Sequence, residues 1–415
     1  MSNLMSFTCK EPKLRFPEFC GEWEEKALGD LIQSLDAGIS VNSTERPAKS
    51  NEKSILKTSC VSYDIFDISE NKVVLDDIEI QRLKEPVTAN SIIISRMNTP
   101  ALVGANAFVK YDNLNTFLPD RLWAAKIRKD ASPLWTSILI SSTKIRTLLS
   151  ERATGTSNSM KNITKGDVLT LPIVAPSKPE QEKIASFLTA VDAKIEQLTC
   201  KAKTLEKYKK SVLQKLFSQE LRFTCNDGSE YPEWEEKKLG EVGQVITGKT
   251  PSTSNDDFWD GDIQFITPTD INENTKYQIL TARKIVKQPN TKVLPKGSIV
   301  YTCIASIGKM AITTLPSITN QQINSIIAFE NVNNEFLYYV LLKLTPYIKS
   351  TQANTTLPII NKTEFSKFKI QLPSLAEQTK IANFLSAIDE KCLHVKSQLA
   401  QTQQFKKALL QQMFV

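Results

Sequence analysis

One histidine, His394, serves 415 residues. An enzyme of this size would have to draw its acid and base from carboxylates or lysines, or from a bound cofactor. The seven cysteines, Cys9, Cys20, Cys60, Cys200, Cys225, Cys303 and Cys392, are scattered and form no C-x-x-C pair. That spacing excludes a zinc ribbon and points to free thiols in a reducing compartment. No apolar run approaches the roughly 18 residues that suggest a membrane span. The first 16 residues carry no apolar secretion core. The chain is therefore expected in the cytoplasm, with no membrane partner. N-P-P-Y, D-P-P-Y, G-x-S-x-G and H-E-x-x-H are all missing, so no common catalytic motif is legible.

What is present is a long helical repeat. Across residues 179–218, Ile184, Leu188, Val191, Ile195, Leu198, Ala202, Leu205, Val212 and Leu216 alternate spacings of four and three, interrupted where Lys209 replaces an apolar residue. That is the seam of a coiled coil. Forty residues of helix make a rod of about 60 Å, which cannot bury its seam against itself. Residues 376–415 supply a partner, with a seam of Ile381, Leu385, Ile388, Cys392, Val395, Leu399, Leu409 and Met413. The two stretches overlay at one constant offset: Glu180 on Glu377, Gln181 on Gln378, Phe187 on Phe384, Asp192 on Asp389, Lys209 on Lys406 and Phe217 on Phe414. His394 falls beside the seam, on the helix surface.

The repeat extends beyond the rods. Leu14-Arg15-Phe16, then Glu22-Trp23-Glu24-Glu25-Lys26, then Leu28-Gly29-Asp30-Leu31 return as Leu221-Arg222-Phe223, Glu233-Trp234-Glu235-Glu236-Lys237 and Leu239-Gly240-Glu241-Val242. A whole module is duplicated: an entry segment, a body, and a long helix. The bodies differ in length, 157 positions from Trp23 to Glu180 against 143 from Trp234 to Glu377. Within them 91–95, 264–266 and 298–301 read as strands, and 133–149 and 335–350 as helices. Strands without regular helix alternation predict an α+β fold. The division expected is a first head over 1–178, a helix over 179–218, a second head over 219–375 and a helix over 376–415.

Gly243-Gln244-Val245-Ile246-Thr247-Gly248-Lys249-Thr250 fits the phosphate-loop pattern, but Pro251 follows at once where a helix should open. Nucleotide hydrolysis through Lys249 is a third reading, and this context argues against it. Basic, amide and hydroxyl residues gather in loops of both bodies: Arg96, Asn98, Arg121, Thr156, Ser157, Asn158 and Lys161 in the first; Lys249, Thr250, Lys309, Asn320, Gln321, Gln322, Asn354 and Thr355 in the second. Arginine can grip guanine and amides can grip adenine, while Lys, Ser and Thr hold phosphates. The net charge of +7 permits a polyanionic partner. The alternative is solvated loops on a coiled-coil scaffold that binds protein or carbohydrate.

With the doubled frame assembled, the chain resembles the specificity subunits of type I restriction-modification enzymes. The carriers are Pro176-Ser177-Lys178-Pro179-Glu180-Gln181-Glu182-Lys183-Ile184-Ala185 and Pro373-Ser374-Leu375-Ala376-Glu377-Gln378-Thr379-Lys380-Ile381-Ala382, both of the form Pro-x-x-x-Glu-Gln-x-x-Ile-Ala. The Trp23 and Trp234 entry segments, 247–251 and 259–263 match as well. The first module departs from the pattern, with Ile39-Ser40-Val41 where Gly-x-Thr-Pro is usual. The resemblance implies two tandem target recognition domains, each a mixed sheet with short helices, joined by two long helices in an antiparallel coiled coil. Each domain would read one half of a split site in double-stranded DNA. Two methyltransferase subunits would dock on the frame and two restriction (motor-nuclease) subunits would complete the enzyme. No cofactor is implied for this subunit; S-adenosylmethionine, ATP and magnesium would bind to its partners.

Overall fold

A computed structural model of the protein describes residues 10–157, 160–273, 275–288, 291–352 and 358–415. The long helices span Lys178–Phe217 and Leu375–Gln412. Compact packing divides the chain within these rods rather than at their ends: one unit holds residues 1–197 with 399–415, the other residues 198–398. Each unit therefore contains a piece of both helices.

In the first unit Ile184, Leu188 and Val191 share a buried core with Leu409 and Met413. Lys406 reaches Asp192 at 2.7 Å. In the second unit Val212 and Leu216 share a core with Ile381, Leu385 and Ile388. Lys209 pairs with Asp389, and Glu206 with Lys396 at 2.7 Å. Rising numbers on one helix meet falling numbers on the other, so each pair is antiparallel. Leu198 and Val395 are buried, while Ile195, Leu205 and Leu399 are half-buried. Lys209 and Lys406, apparent breaks in the seam, each meet the aspartate that the repeat carries on the opposite helix.

The heart of the first unit is a four-stranded antiparallel sheet, ordered Asn106–Phe108, Ser91–Ser95, Leu122–Ile127, Ile32–Ala37. Ser91–Ser95 is buried throughout, which its run of three isoleucines dictates. A second sheet is mixed, with Ser54–Leu56 parallel to Asn113–Phe117. The second unit repeats the central sheet in the same order, Met310–Thr313, Ile299–Thr302, Ile323–Ala328, Gly243–Thr247, and adds Tyr277–Gln278 at one edge. Its smaller sheet pairs Trp259–Ile266 with Arg283–Ile285 and, in parallel, with Ser317–Thr319.

The helix expected over 133–149 is two helices, Pro133–Ser141 and Thr143–Arg152. Ser142 between them is extended, and its hydroxyl caps the second helix by accepting from the Ile145 N–H. The counterpart in the second unit, Asn334–Ser350, runs unbroken through Pro346.

The Glu-Gln pair at each helix start fastens rod to head. Glu180, only 2 % exposed, accepts from Arg15 through both carboxylate oxygens at 2.8 Å and from the Trp23 indole at 3.2 Å. Glu377, fully buried, does the same with Arg222 at 3.1 and 3.3 Å and Trp234 at 3.2 Å. Each carboxylate holds its arginine's pKa above the ordinary value. Gln181 accepts from the Ser132 N–H and donates to the Pro176 carbonyl; Gln378 accepts from the Asn333 N–H and donates to Pro373. In each unit the two contacts tie the end of a strand, the start of a head helix and the start of a rod into one joint.

Candidate functional site

The candidate residues whose side chains are described gather toward one end of the central sheet in each unit. In the first, Leu122 faces Ser95 and Trp123 faces Ala37. The chain therefore leaves the sheet at Gly38 and Arg96 and returns at Arg121 along the same edge. In the second, Ile323 faces Thr302 and Asn324 faces Thr247, so the chain leaves at Gly248 and Cys303 and returns at Gln322. Register alone makes Gly38 equivalent to Gly248, Arg96 to Cys303, and Arg121 to Gln322.

Finer geometry agrees with that register. Gly104 donates to the Ser95 carbonyl at 2.8 Å and Gly308 to the Thr302 carbonyl at 3.1 Å, both with positive φ. Ile163 donates to the Arg96 carbonyl at 3.1 Å and Ile360 to the Cys303 carbonyl at 2.9 Å. A Cβ on Gly38 would lie 1.6 Å from the Leu118 carbonyl oxygen, and one on Gly248 2.2 Å from the Thr319 and Asn320 oxygens. Glycine is required at both places because backbone meets backbone there. The hydroxyl two residues on is also repeated: Ser40 donates to the Asp120 carboxylate, and Thr250 to the Gln321 side-chain carbonyl at 2.7 Å.

Around this frame the two ends carry different chemistry. In the first unit Arg96 lies over the Trp123 ring and donates to Asn162. Asn98 pairs with Lys161 across two short strands, and its amide donates to the Ser95 hydroxyl at 3.1 Å. The Lys161 ammonium reaches the Gly155 carbonyl. Arg121 is exposed, and among the described residues no carboxylate lies within ion-pair distance of it. Thr156 and Ser157 belong to the strand Thr154–Ser157; their side chains, and Asn158, lie outside what is described.

In the second unit Lys249 is exposed and its N–H donates to the Thr319 carbonyl. Asn320 and Gln322 bond each other, amide to side-chain carbonyl at 2.9 Å and backbone N–H to amide oxygen at 3.1 Å. Lys309 lies 3.9 Å from Glu273. Its backbone takes the place of Ala105, so its cation rises from the opposite arm of the hairpin that carries Arg96 in the first unit. Cys303, in the place of Arg96, is a buried thiol whose pKa burial pushes up to about 11, so it stays neutral. Asn354 and Thr355 lie outside the described residues. The phosphate-loop pattern is occupied by an edge strand, Gly243–Thr247, and no helix opens after Lys249. Lys249, Thr250 and Lys292 line a cavity of about 660 Å³ whose apolar side includes Phe258 and Leu294.

Residue types alone missed Ser40, Asp120 and Asn162. They became legible only when strand register aligned the two sheets, because the loops between the strands differ in length. Sequence reading also missed a polar network in the second unit. Lys276 donates to Glu335 at 3.0 Å and to Ser386 at 2.7 Å, and Tyr339 donates to Asp389 at 2.6 Å. Asp389 in turn pairs with Lys209, so one network joins head and both helices. Burial pushes the Glu335 carboxyl up, but bonds from Ser386, Tyr277 and Lys276 outweigh it and hold the pKa below the ordinary value. Among the described residues no helix is long and apolar enough to cross a membrane.

The family model for the type I restriction modification DNA specificity domain matches the chain twice, at residues 21–207 and 231–402. The HindI specificity subunit of Haemophilus influenzae is 26 % identical, over 85 % of this chain and 90 % of that one. The MjaIX specificity subunit of Methanocaldococcus jannaschii is 35 % identical over 191 residues, 44 % of each chain. In fold, a type I restriction-modification S subunit from M. genitalium matches 98 % of this chain and 99 % of its own at a TM-score of 0.62 and 18 % identity. The HsdS subunit of Thermoanaerobacter tengcongensis matches 94 % of this chain and 96 % of its own, at a TM-score of 0.51 and 19 % identity.

Proposed function

The chain belongs to the type I restriction-modification DNA specificity family, and on that footing we propose that it is the sequence-reading subunit of such a system. Each unit offers one sheet end to one half of a split duplex site, and the paired helices connect the two readings. Two readers on one stiff frame turn two short, weak recognitions into one long one, because the second binds at high effective concentration. The observation that carries this reading is the combination at the sheet ends. The backbone frame is the same in both units, down to the glycine and the hydroxyl, while the polar side chains it displays differ.

The subunit itself performs no chemistry in this reading. Methyltransferase subunits dock on the frame, restriction subunits complete the assembly, and S-adenosylmethionine, ATP and magnesium are bound by those partners. Two of each partner suit a frame built from two like halves. Candidate contacts to bases or phosphates are Arg96, Asn98, Arg121 and Lys161 in the first unit and Lys249, Thr250, Lys309, Asn320, Gln321 and Gln322 in the second.

The test is to co-express the chain with a methyltransferase partner and map methylated adenines. A bipartite motif is expected, together with duplex binding that weakens steeply with salt. Exchanging residues 20–176 for the first body of another family member should change one half of that motif only. Absence of any sequence preference in the purified assembly would overturn the reading.

A further inference from the structure

The second unit holds two of the chain's arginines, Arg222 and Arg283; the first unit holds eight. Neither of them stands at a position equivalent to Arg96 or Arg121, which Cys303 and Gln322 occupy. Arg222 grips Glu377, and Arg283 lies over the rings of Trp259 and Phe265. At these two equivalent positions the first sheet end therefore carries guanidinium groups and the second carries none.

The difference is sharpest at one pair of equivalent positions. Immediately before the third strand of the sheet stands Asp120-Arg121 in the first unit and Gln321-Gln322 in the second. The leading residue of each pair is exposed and held by the same hydroxyl, Ser40 on Asp120 and Thr250 on Gln321. A side chain fixed by a second group presents its remaining hydrogen-bonding face in one orientation, which is what base readout needs. Bonded through its carbonyl, Gln321 keeps its two N–H donors and a free lone pair on that oxygen.

We propose that this clamped pair reads bases, with Asp120 and Arg121 selecting G·C in the first half-site and Gln321 selecting adenine in the second. The assignment rests on the proposed DNA-reading function and adds the base class for each head. Its chemistry is that of the major groove. Arginine donates twice to guanine O6 and N7, and an aspartate accepts from cytosine N4. A glutamine amide accepts from adenine N6 while donating to N7. Gln322 is bound to Asn320 and takes the supporting place.

The test is a transplant. In the complete assembly with its methyltransferase partner, Gln321→Asp combined with Gln322→Arg should move one position of the second half-site from A·T to G·C. The first half-site should stay unchanged. A preference of roughly 5- to 150-fold at that position is expected, the discrimination typical of one well-placed pair. The readout is selection of bound duplexes from a randomised library, scored against methylated motifs. Gln321→Glu, which keeps size and shape, should by itself erase the adenine preference. An unchanged motif in both variants, or weakening that is uniform over all sequences, would assign these side chains to phosphates and overturn the proposal. If the parent assembly selects no bipartite motif at all, the broader DNA-reading function fails instead. A variant that misfolds is recognised by loss of the entire second half-site, and the Gln321→Glu result then decides.

Discussion

Replacing Glu377 by alanine removes the acceptor of three hydrogen bonds at a site sealed from solvent. The donors are Arg222, through two nitrogens, and the Trp234 indole. Trp234 is 9 % exposed, so its N–H finds no ready substitute in water; a buried unsatisfied donor costs about 1–3 kcal/mol. Stranding one member of a buried ion pair costs about 3–5 kcal/mol. That upper range is too large here. The Arg222 side chain is one-fifth exposed, and it keeps bonds to the Tyr231 and Pro232 carbonyls. The expected sum is about 3 kcal/mol, or a factor on the order of 150 in the local opening equilibrium. Amide hydrogen exchange resolves where the loss falls. Protection should drop in 235–238, 369–372 and the first turns of the second long helix, with residues 24–27 and 172–175 unchanged. Glu180→Ala should give the mirror pattern. A loss under about 0.5 kcal/mol, or equal loosening in both units, would show that the buried carboxylate is not the fastening point.

Three further outcomes are expected. Gly38→Ala and Gly248→Ala should each lower stability by more than about 3 kcal/mol, because the obstructing atoms are backbone oxygens at 1.6 and 2.2 Å; Gly166→Ala, whose nearest neighbour would be 3.6 Å away, is the control for a urea titration. Lys209→Asp should destabilise by about 1–2 kcal/mol through like charges beside Asp389, and adding Asp389→Asn, which removes the repulsion but still accepts from Tyr339, should recover part of it; a double-mutant cycle measures the coupling. The folded-state pKa of Glu335 is depressed, so its contribution is complete above the unfolded carboxylate value near 4.5 and is lost as pH falls through the lower folded value. Acid titration followed by Tyr fluorescence should show that increment in the parent protein and lack it in Glu335→Gln.

How much of this was legible in the sequence depended on whether a feature is local. The Glu-Gln joint could be seen as a repeated string, since each copy must meet the same geometry within a few residues of its own helix start. Its arginine could not be singled out, because Arg15 lies 165 positions from Glu180. Lys209 looked like a defect in a seam. Its partner Asp389 was already visible as the copy of Asp192, but only the antiparallel register brings the two together. The helix break at Ser142 was lost for the opposite reason. Apolar periodicity continues across it, and a single hydroxyl that caps the next turn decides the matter. The Lys276 network joins positions 59 and 110 residues apart, beyond the reach of any local pattern.

The division between what repeats and what differs follows from cost. Groups that repeat are buried and mutually satisfying: Glu180 with Arg15 and Trp23, Glu377 with Arg222 and Trp234, and the glycines where backbones touch. A change in any one of them strands a polar group or forces a clash, at several kcal/mol. Groups that differ, Asp120 against Gln321 and Arg121 against Gln322, sit toward solvent on a loop already pinned by a glycine and a hydroxyl. Surface exchanges of that kind usually alter stability by no more than about 0.5 kcal/mol. A chain built this way can change what it reads without changing how it folds. The two bodies could therefore drift to different lengths and different side chains while the joints and the helix pairing stayed fixed.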